Sequence, residues 1–348
     1  MHSRGVIAHL SALCLGIYLC LGLGACSTVR VNQLDASMQG PGTARPASHL
    51  LSHVPFVTQE THECGPATLQ MLLRAAGTDA PIDTLVQQAY TPEKRGTLQL
   101  EMLGTVRRHG LLAYPIAPTL DALVDEVAAG HPVAVFVNLS LPIAPVWHYA
   151  VVLGYDIPAH TITLHSGVTQ NMTMSLYAFD RIWARGGSWA FVALPPTELP
   201  ASATPEALLK AMHALELNHA EAAERGYASA MQHWPNDPRW ALAWGNAAYA
   251  RNDLKAADQR LESATTAFPT YADGWNNLAQ VRSEQNDIQG ALAAIAQAIA
   301  LGGPHKTQYT ALQAALQSTA MALPTAKTVA TPEDAEAPRK AETKNQAE

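Results

Sequence analysis

From about residue 203 the sequence repeats itself every 34 residues, and no other feature limits the fold of the chain as tightly. Asn218-His219, Asn252-Asp253 and Asn286-Asp287 are spaced by 34, as are Ala223, Ala257 and Ala291; Pro235 and Pro269 keep the rule and Pro304 falls one residue late. Alanine-rich helix without higher order would not align four registers in this way. A unit of this length holds two helices with small residues where they cross, a polar turn between them and Pro near the end. The spacing predicts three units, about 204–237, 238–271 and 272–305, followed by a capping helix near 307–321. Such a unit cannot bury its apolar face alone, so stacking of neighbours must supply the core.

The pattern over 203–321 resembles tetratricopeptide repeats, and the resemblance implies an all-α solenoid whose concave face takes a peptide or protein partner. The tail, 322–348, lacks aromatics and periodicity and is expected to be disordered.

Residues 51–196 have another texture. Helical spacing of apolar residues comes first, at 65–76, 82–90, 98–109 and 119–130, the last closed by Gly130. Short runs rich in Val, Ile, Trp and Tyr follow: "PVAVFVNL", "WHYAVVLGYD", "HTITLHSG" and "SWAFVALP". Helices followed by a mostly antiparallel sheet make an α+β order.

The N-terminus carries Arg4 and then an apolar stretch from about Val6 to Leu23, the layout of a secretion signal over 1–25. It ends in Leu23-Gly24-Ala25-Cys26, which resembles the lipobox of bacterial lipoproteins. That resemblance implies acylation (as with palmitate) at Cys26, and Ser27 after it favours the outer membrane, facing the periplasm. A plain signal peptide or an uncleaved anchor is the alternative, since the apolar run approaches the length of a membrane span. Residues 26–50, polar with Gly and Pro, read as a flexible tether. With 22 Lys and Arg against 29 Asp and Glu, no broad basic surface exists for nucleic acid.

The four cysteines then sort themselves. Cys14 and Cys20 leave with the signal, Cys26 takes lipid, and Cys64 alone remains in an oxidising compartment with no partner for a disulfide. A buried lone cysteine can be a small hydrophobe and nothing more. The local sequence argues otherwise: in "ECGPATLQMLLRAAG" Pro66 lies in a first helical turn and Gly77 follows the last, so Cys64 stands at a helix N-terminus. The dipole and free N–H groups there favour a thiolate, predicting an acidic, nucleophilic thiol. Its partner must be an imidazole. Of 14 histidines, His148 at the head of "WHYAVVLGYD" has the apolar setting to hold its ring; His165 is weaker and His62 too local.

Gln59, then Cys64-Gly65-Pro66-Ala67 opening a helix, then His148-Tyr149-Ala150-Val151-Val152 on a later strand, resemble the papain-like cysteine peptidases of the bacteriocin-leader (double-glycine) type and their stand-alone relatives. The resemblance covers 51–196 and implies a papain-like fold, with Gln59 donating to the oxyanion beside the Cys64 N–H. Phe179 and Trp183 read as core. The family's orienting Asp is missing: that place reads Leu164-His165-Ser166-Gly167. A hairpin turning around Ile157 to Ala159 brings residues 166–168 opposite His148, so Ser166 is the candidate for the third position, with His165 behind it. Asp156, eight residues along the same strand, would be about 26 Å away.

These residues imply a membrane-anchored cysteine peptidase, or amide-bond hydrolase, acting through Cys64 and His148, with peptide or protein substrates. The alternatives are a catalytically weak or inactive peptide-binding scaffold lipoprotein and a cell-wall peptidase. No segment resembles the ATP-driven exporter often fused to such peptidases. Neither His-Glu-x-x-His, Cys-x-x-Cys nor a phosphate-binding glycine loop occurs, so no metal and no cofactor are expected.

Overall fold

A computed structural model describes residues 28–38, 45–59 and 63–322. The signal segment, Cys26, His62 and the 322–348 tail expected from the sequence lie outside the described residues, apart from the last residue of the final helix. No helix among the described residues is long and apolar enough to cross a membrane.

Helix α1 (28–38) is followed by β1 (Ser48–Leu50), then by α2 (Cys64–Ala75), α3 (Ile82–Ala89), the small pair β2 (Tyr90–Thr91) and β3 (Gly96–Thr97), and α4 (Gln99–Arg108). Next come β4 (Leu112–Pro115), α5 (Leu120–Ala128), β5 (Val133–Asn138), β6 (Trp147–Asp156), β7 (Thr161–Ser166), β8 (Thr169–Ser175), α6 (Leu176–Arg185) and β9 (Ala190–Leu194). The main sheet is antiparallel, in the order β4-β9-β5-β6-β7-β8, with β1 against the far end of β6. This is the α+β papain-like arrangement: a helix carrying the cysteine lies against β6, the strand headed by the histidine. All residues from Gly65 to Leu73 are buried, Thr68 and Gln70 among them, so α2 is enclosed around its whole circumference and serves as the central core helix.

Residues 197 onward are helical pairs: α7 (Pro205–Glu216), α8 (Ala220–His233), α9 (Pro238–Ala250) and α10 (Leu254–Ala267), then α11 (Ala272–Glu284), α12 (Ile288–Leu301) and α13 (Lys306–Ala322). The 34-residue asparagine has a backbone cause in two of its three occurrences. Asn252 and Asn286 take left-handed conformations, with φ of 61° and 64°, that end one helix. Asp253 and Asp287 then cap the next by accepting from Ala256 N and Gly290 N at 3.0 and 2.9 Å. His219, in the first unit, makes no such cap.

Two expectations need correction. The 26–50 segment is not a tether throughout, because 28–38 is helical and buries Val31 and Leu34. Arg30 pairs with buried Asp180 at 3.1 Å and lies over Trp183, while Arg45 binds Asp121 and Asp125 at 2.6 and 2.8 Å. The second correction concerns the boundary at 196–203. The chain divides into compact units at 269/270, and α7 and α8 share the core of the sheet through Leu208, Met212, Leu215 and Tyr227. Buried Glu126 is the polar cause of that union: it accepts from Ala201 N, Ser202 N and Ser202 Oγ at 3.1, 2.8 and 2.5 Å, fixing the connection to the peptidase-like sheet.

Candidate active site

Cys64 opens α2 and is partly buried. The residue after it must be glycine: a Cβ on Gly65 would lie 2.3 Å from Thr97 Oγ1, because β3 crosses directly over the helix start. Tyr149 ties the same place down, donating from its hydroxyl to Thr97 O at 3.1 Å. The backbone N–H groups of Tyr149, Gly65 and Cys64 itself bear on the sulfur and favour a thiolate. Burial is nevertheless the largest influence and pushes the thiol above its ordinary pKa. The acidic thiol expected from the helix terminus is thus corrected, since desolvation outweighs the backbone hydrogen bonds to the sulfur.

The contact with Tyr149 N–H brings the thiol to the head of β6, one residue past His148. His148 Nε2 lies 3.0 Å from Ser166 Oγ. The register explains the pairing: a bulge between Val152 and Gly154 shifts β6 by one residue against β7, so that Val151 faces His165 and Ser166 shares the face of β6 that carries His148. Burial lowers the His148 pKa.

His165 points the other way along the alternation and is fully engaged there. Its Nε2 donates to Val54 O at 3.3 Å, its Nδ1 accepts from Asn171 N at 3.2 Å, and its ring meets Phe56 edge-on at 5.2 Å. Asp156 sits at the far end of β6 and caps the hairpin turn by accepting from Ala159 N at 2.9 Å.

Gln59 is held by the same turn that carries Ser166. Gly167, at φ 59°, donates its N–H to Gln59 Oε1 at 3.2 Å and accepts from Gln59 N at 3.2 Å. That grip fixes the amide by its carbonyl end. Its other end, Nε2, is buried with no partner among the described residues, a donor awaiting an acceptor. Thr97, Tyr149 and Gly167 were not singled out from the sequence. Only Gly167 carried a signal, as the glycine after Ser166 at a hairpin tip. Phe179 and Trp183 are fully buried and stack at 5.7 Å, as core. No cluster of His, Cys, Asp and Glu able to hold a metal occurs among the described residues.

Residues 51–190 match the model of the Peptidase_C39 like family. No curated protein matches the chain. Among solved structures, a C39-like peptidase from Bacillus anthracis is similar at 18% identity and a TM-score of 0.38, over 42% of this chain and 97% of that one. The peptidase domain of Streptococcus ComA, a bifunctional ABC transporter, is similar at 22% identity and a TM-score of 0.34, over 41% and 99%. The tetratricopeptide-repeat domain of Sgt2 from Aspergillus fumigatus is similar at 22% identity and a TM-score of 0.29, over 38% and 93%.

Proposed function

We propose that the chain is a lipid-anchored cysteine peptidase of the bacterial envelope that cleaves peptide or protein substrates with Cys64, His148, Gln59 and Ser166. The observation that carries the reading is the Ser166-Gly167 turn, which holds the imidazole of His148 by one residue and the oriented amide of Gln59 by the next. With Nε2–H donating to Ser166 Oγ, the free lone pair of His148 is on Nδ1. That atom takes the proton of Cys64 as sulfur attacks the carbonyl carbon. The oxyanion formed is received by Gln59 Nε2–H and the Cys64 N–H. His148 returns its proton to the leaving amine, then activates a water that releases the acyl group from sulfur.

A hydroxyl cannot stabilise imidazolium as a carboxylate does, and burial disfavours both charged forms. The resting pair is therefore neutral, and proton transfer accompanies attack. The same two facts favour a second reading, a catalytically weak scaffold. In either case the repeats offer a place for a partner: Met231, Trp234, Trp244 and Phe268 line an apolar hollow among α8, α9 and α10.

Envelope peptides compared between wild type and Cys64→Ala, across conditions where the protein is abundant, test the proposal. Fragments present only in wild type are expected. Identical profiles, together with no labelling of the native protein by a peptidyl electrophile, would leave the scaffold. Membrane fractionation of Cys26→Ala tests the anchor, and loss of membrane association is expected.

A further inference from the structure

The segment between β5 and β6, "LSLPIAPVW" (139–147), contains no charge, yet most of it faces solvent. Ile143 is 89% exposed, Leu141 63%, Val146 53% and Trp147 51%. This is not a loose loop. Buried Asn138 closes its neck, accepting from Ser140 N and Val146 N, each at 3.0 Å, while Leu139 N donates to Val146 O at 2.9 Å. A turn from Leu141 to Ala144, closed at 3.0 Å, sets Pro142 and Ile143 at the tip. Isolated exposed apolar residues are ordinary, but a built projection of seven in succession, Leu141 to Trp147, marks an interaction surface.

Its position in the fold indicates what covers it. The first described residues of α1 lie at the same end of the sheet as this loop. Arg30 binds Ser188 Oγ and Pro118 O at 3.0 Å each, beside the start of β9, and Phe136 at the end of β5 donates to Trp189 O at 3.0 Å. Arg185 holds Asn138 O, the root of the loop, at 3.2 and 3.3 Å. From there α1 runs to the opposite end, where Asp35 meets His160 of the β6–β7 turn at 2.9 Å. Cys26 is only two residues before Thr28, so an acyl chain on it could be no more than about 7 Å of extended backbone from that first turn.

We propose that the 139–147 loop dips into the lipid bilayer to which the chain is anchored, setting His148, the next residue, at the membrane surface. The inference rests on the lipid anchor at Cys26 and deepens the proposed function: the substrates are peptide segments presented at the bilayer face. An uncharged loop with Leu141, Pro142 and Ile143 at its tip and Val146 and Trp147 at its base is suited to acyl chains below and head groups above.

The test uses the full, membrane-processed chain carrying Cys64→Ala, with an environment-sensitive fluorophore on Ile143→Cys or, as a reference, on Leu217→Cys, which is also largely exposed but lies between α7 and α8. Each is reconstituted into phosphatidylethanolamine and phosphatidylglycerol vesicles containing lipids with quenchers on the acyl chains. Co-flotation with vesicles is expected for both, with the Ile143 position quenched several-fold more than Leu217. Co-flotation with equal, weak quenching at both positions overturns the bilayer as occupant while leaving the anchor. If the Ile143 label then responds to added peptide, the loop is a substrate surface. A chain that does not float overturns the anchor, and the inference with it.

Discussion

Cys64 shows how far a residue's chemistry departs from its position in a helix. The start of α2 supplies N–H groups and a favourable dipole, but the sulfur lies partly buried against the head of β6, and burial decides the sign. Thiolate forms as pH rises, so a raised pKa moves the alkylation curve upward. Iodoacetamide labelling of the native protein is expected to have its midpoint above the roughly 8.5 of an unperturbed thiol, and labelling of the unfolded chain near that value. A native midpoint below that value would restore a preformed ion pair. Ser166 offers the complementary test. Ser166→Asp places a carboxylate by His148 Nε2, which raises the imidazole pKa and stabilises imidazolium. On a peptide substrate the acidic limb of the kcat/KM profile should shift upward in pH, and turnover at its plateau should rise, whereas Ser166→Ala lowers turnover by about 10²-fold, the low end of the range for general acid–base catalysis. Equal turnover in all three proteins would remove Ser166 from the mechanism. This residue was legible only in part: alternation from the turn alone puts His165 on the face of His148, and the bulge between Val152 and Gly154 shifts the register by one and brings Ser166 there instead. The burial of Cys64 was not legible, since it depends on the packing of the helix start against the head of β6, which no local pattern announces.

At the scale of elements, long periodicity carried through and short contacts did not. The three helical pairs follow from a repeat read over a hundred residues, and four of the seven main-sheet strands from their Val- and Ile-rich runs, while the short β1 and β4 and the polar β8 carried no such signal. Helix α1 reads as tether on its polar composition, although Val31, Leu34 and Met38 have helical spacing and the first two are fully buried. The β3 crossing over α2 is another case that only three-dimensional packing reveals. There Gly65→Ala is expected to destabilise the fold by about 1–3 kcal/mol, the usual range for overpacking, because buried Thr97 cannot withdraw from the added methyl. Thr97→Gly in the same chain removes the atoms that the methyl would strike. Urea denaturation of the two single variants and the double variant should therefore show a favourable coupling between the positions, and strict additivity would mean that the helix start does not press on β3.

For the molecule as a whole, the joint between the peptidase-like sheet and the first repeat is the feature no sequence pattern announced. His131 stands between two carboxylates, with Nδ1 2.6 Å from Glu126 Oε2 and Nε2 3.1 Å from Glu198 Oε1, while Glu126 also holds Ala201 and Ser202. Burial opposes charge on the ring, but the hydrogen bonds and charges of Glu126 and Glu198 outweigh it, so the His131 pKa is raised. A base whose pKa is higher folded than unfolded stabilises the fold fully below its unfolded value, about 6.5, and loses that contribution as pH climbs through the folded value. The stability difference between wild type and His131→Gln should accordingly be greatest near pH 6 and shrink as pH rises. Glu126→Ala removes the buried partner of a charged ring together with the acceptor for two backbone N–H groups, and should cost about 3–5 kcal/mol, the scale for breaking a buried pair from one side. Because α7 and α8 share the sheet's core, that loss should lower a single transition seen both by the fluorescence of Trp183 in α6 and by that of Trp240 in α9. Each tryptophan is isolated for the measurement by replacing the others with Phe. Two separated transitions, with only one of them sensitive to Glu126, would mean that the sheet and the first repeats fold independently and that the joint merely connects them.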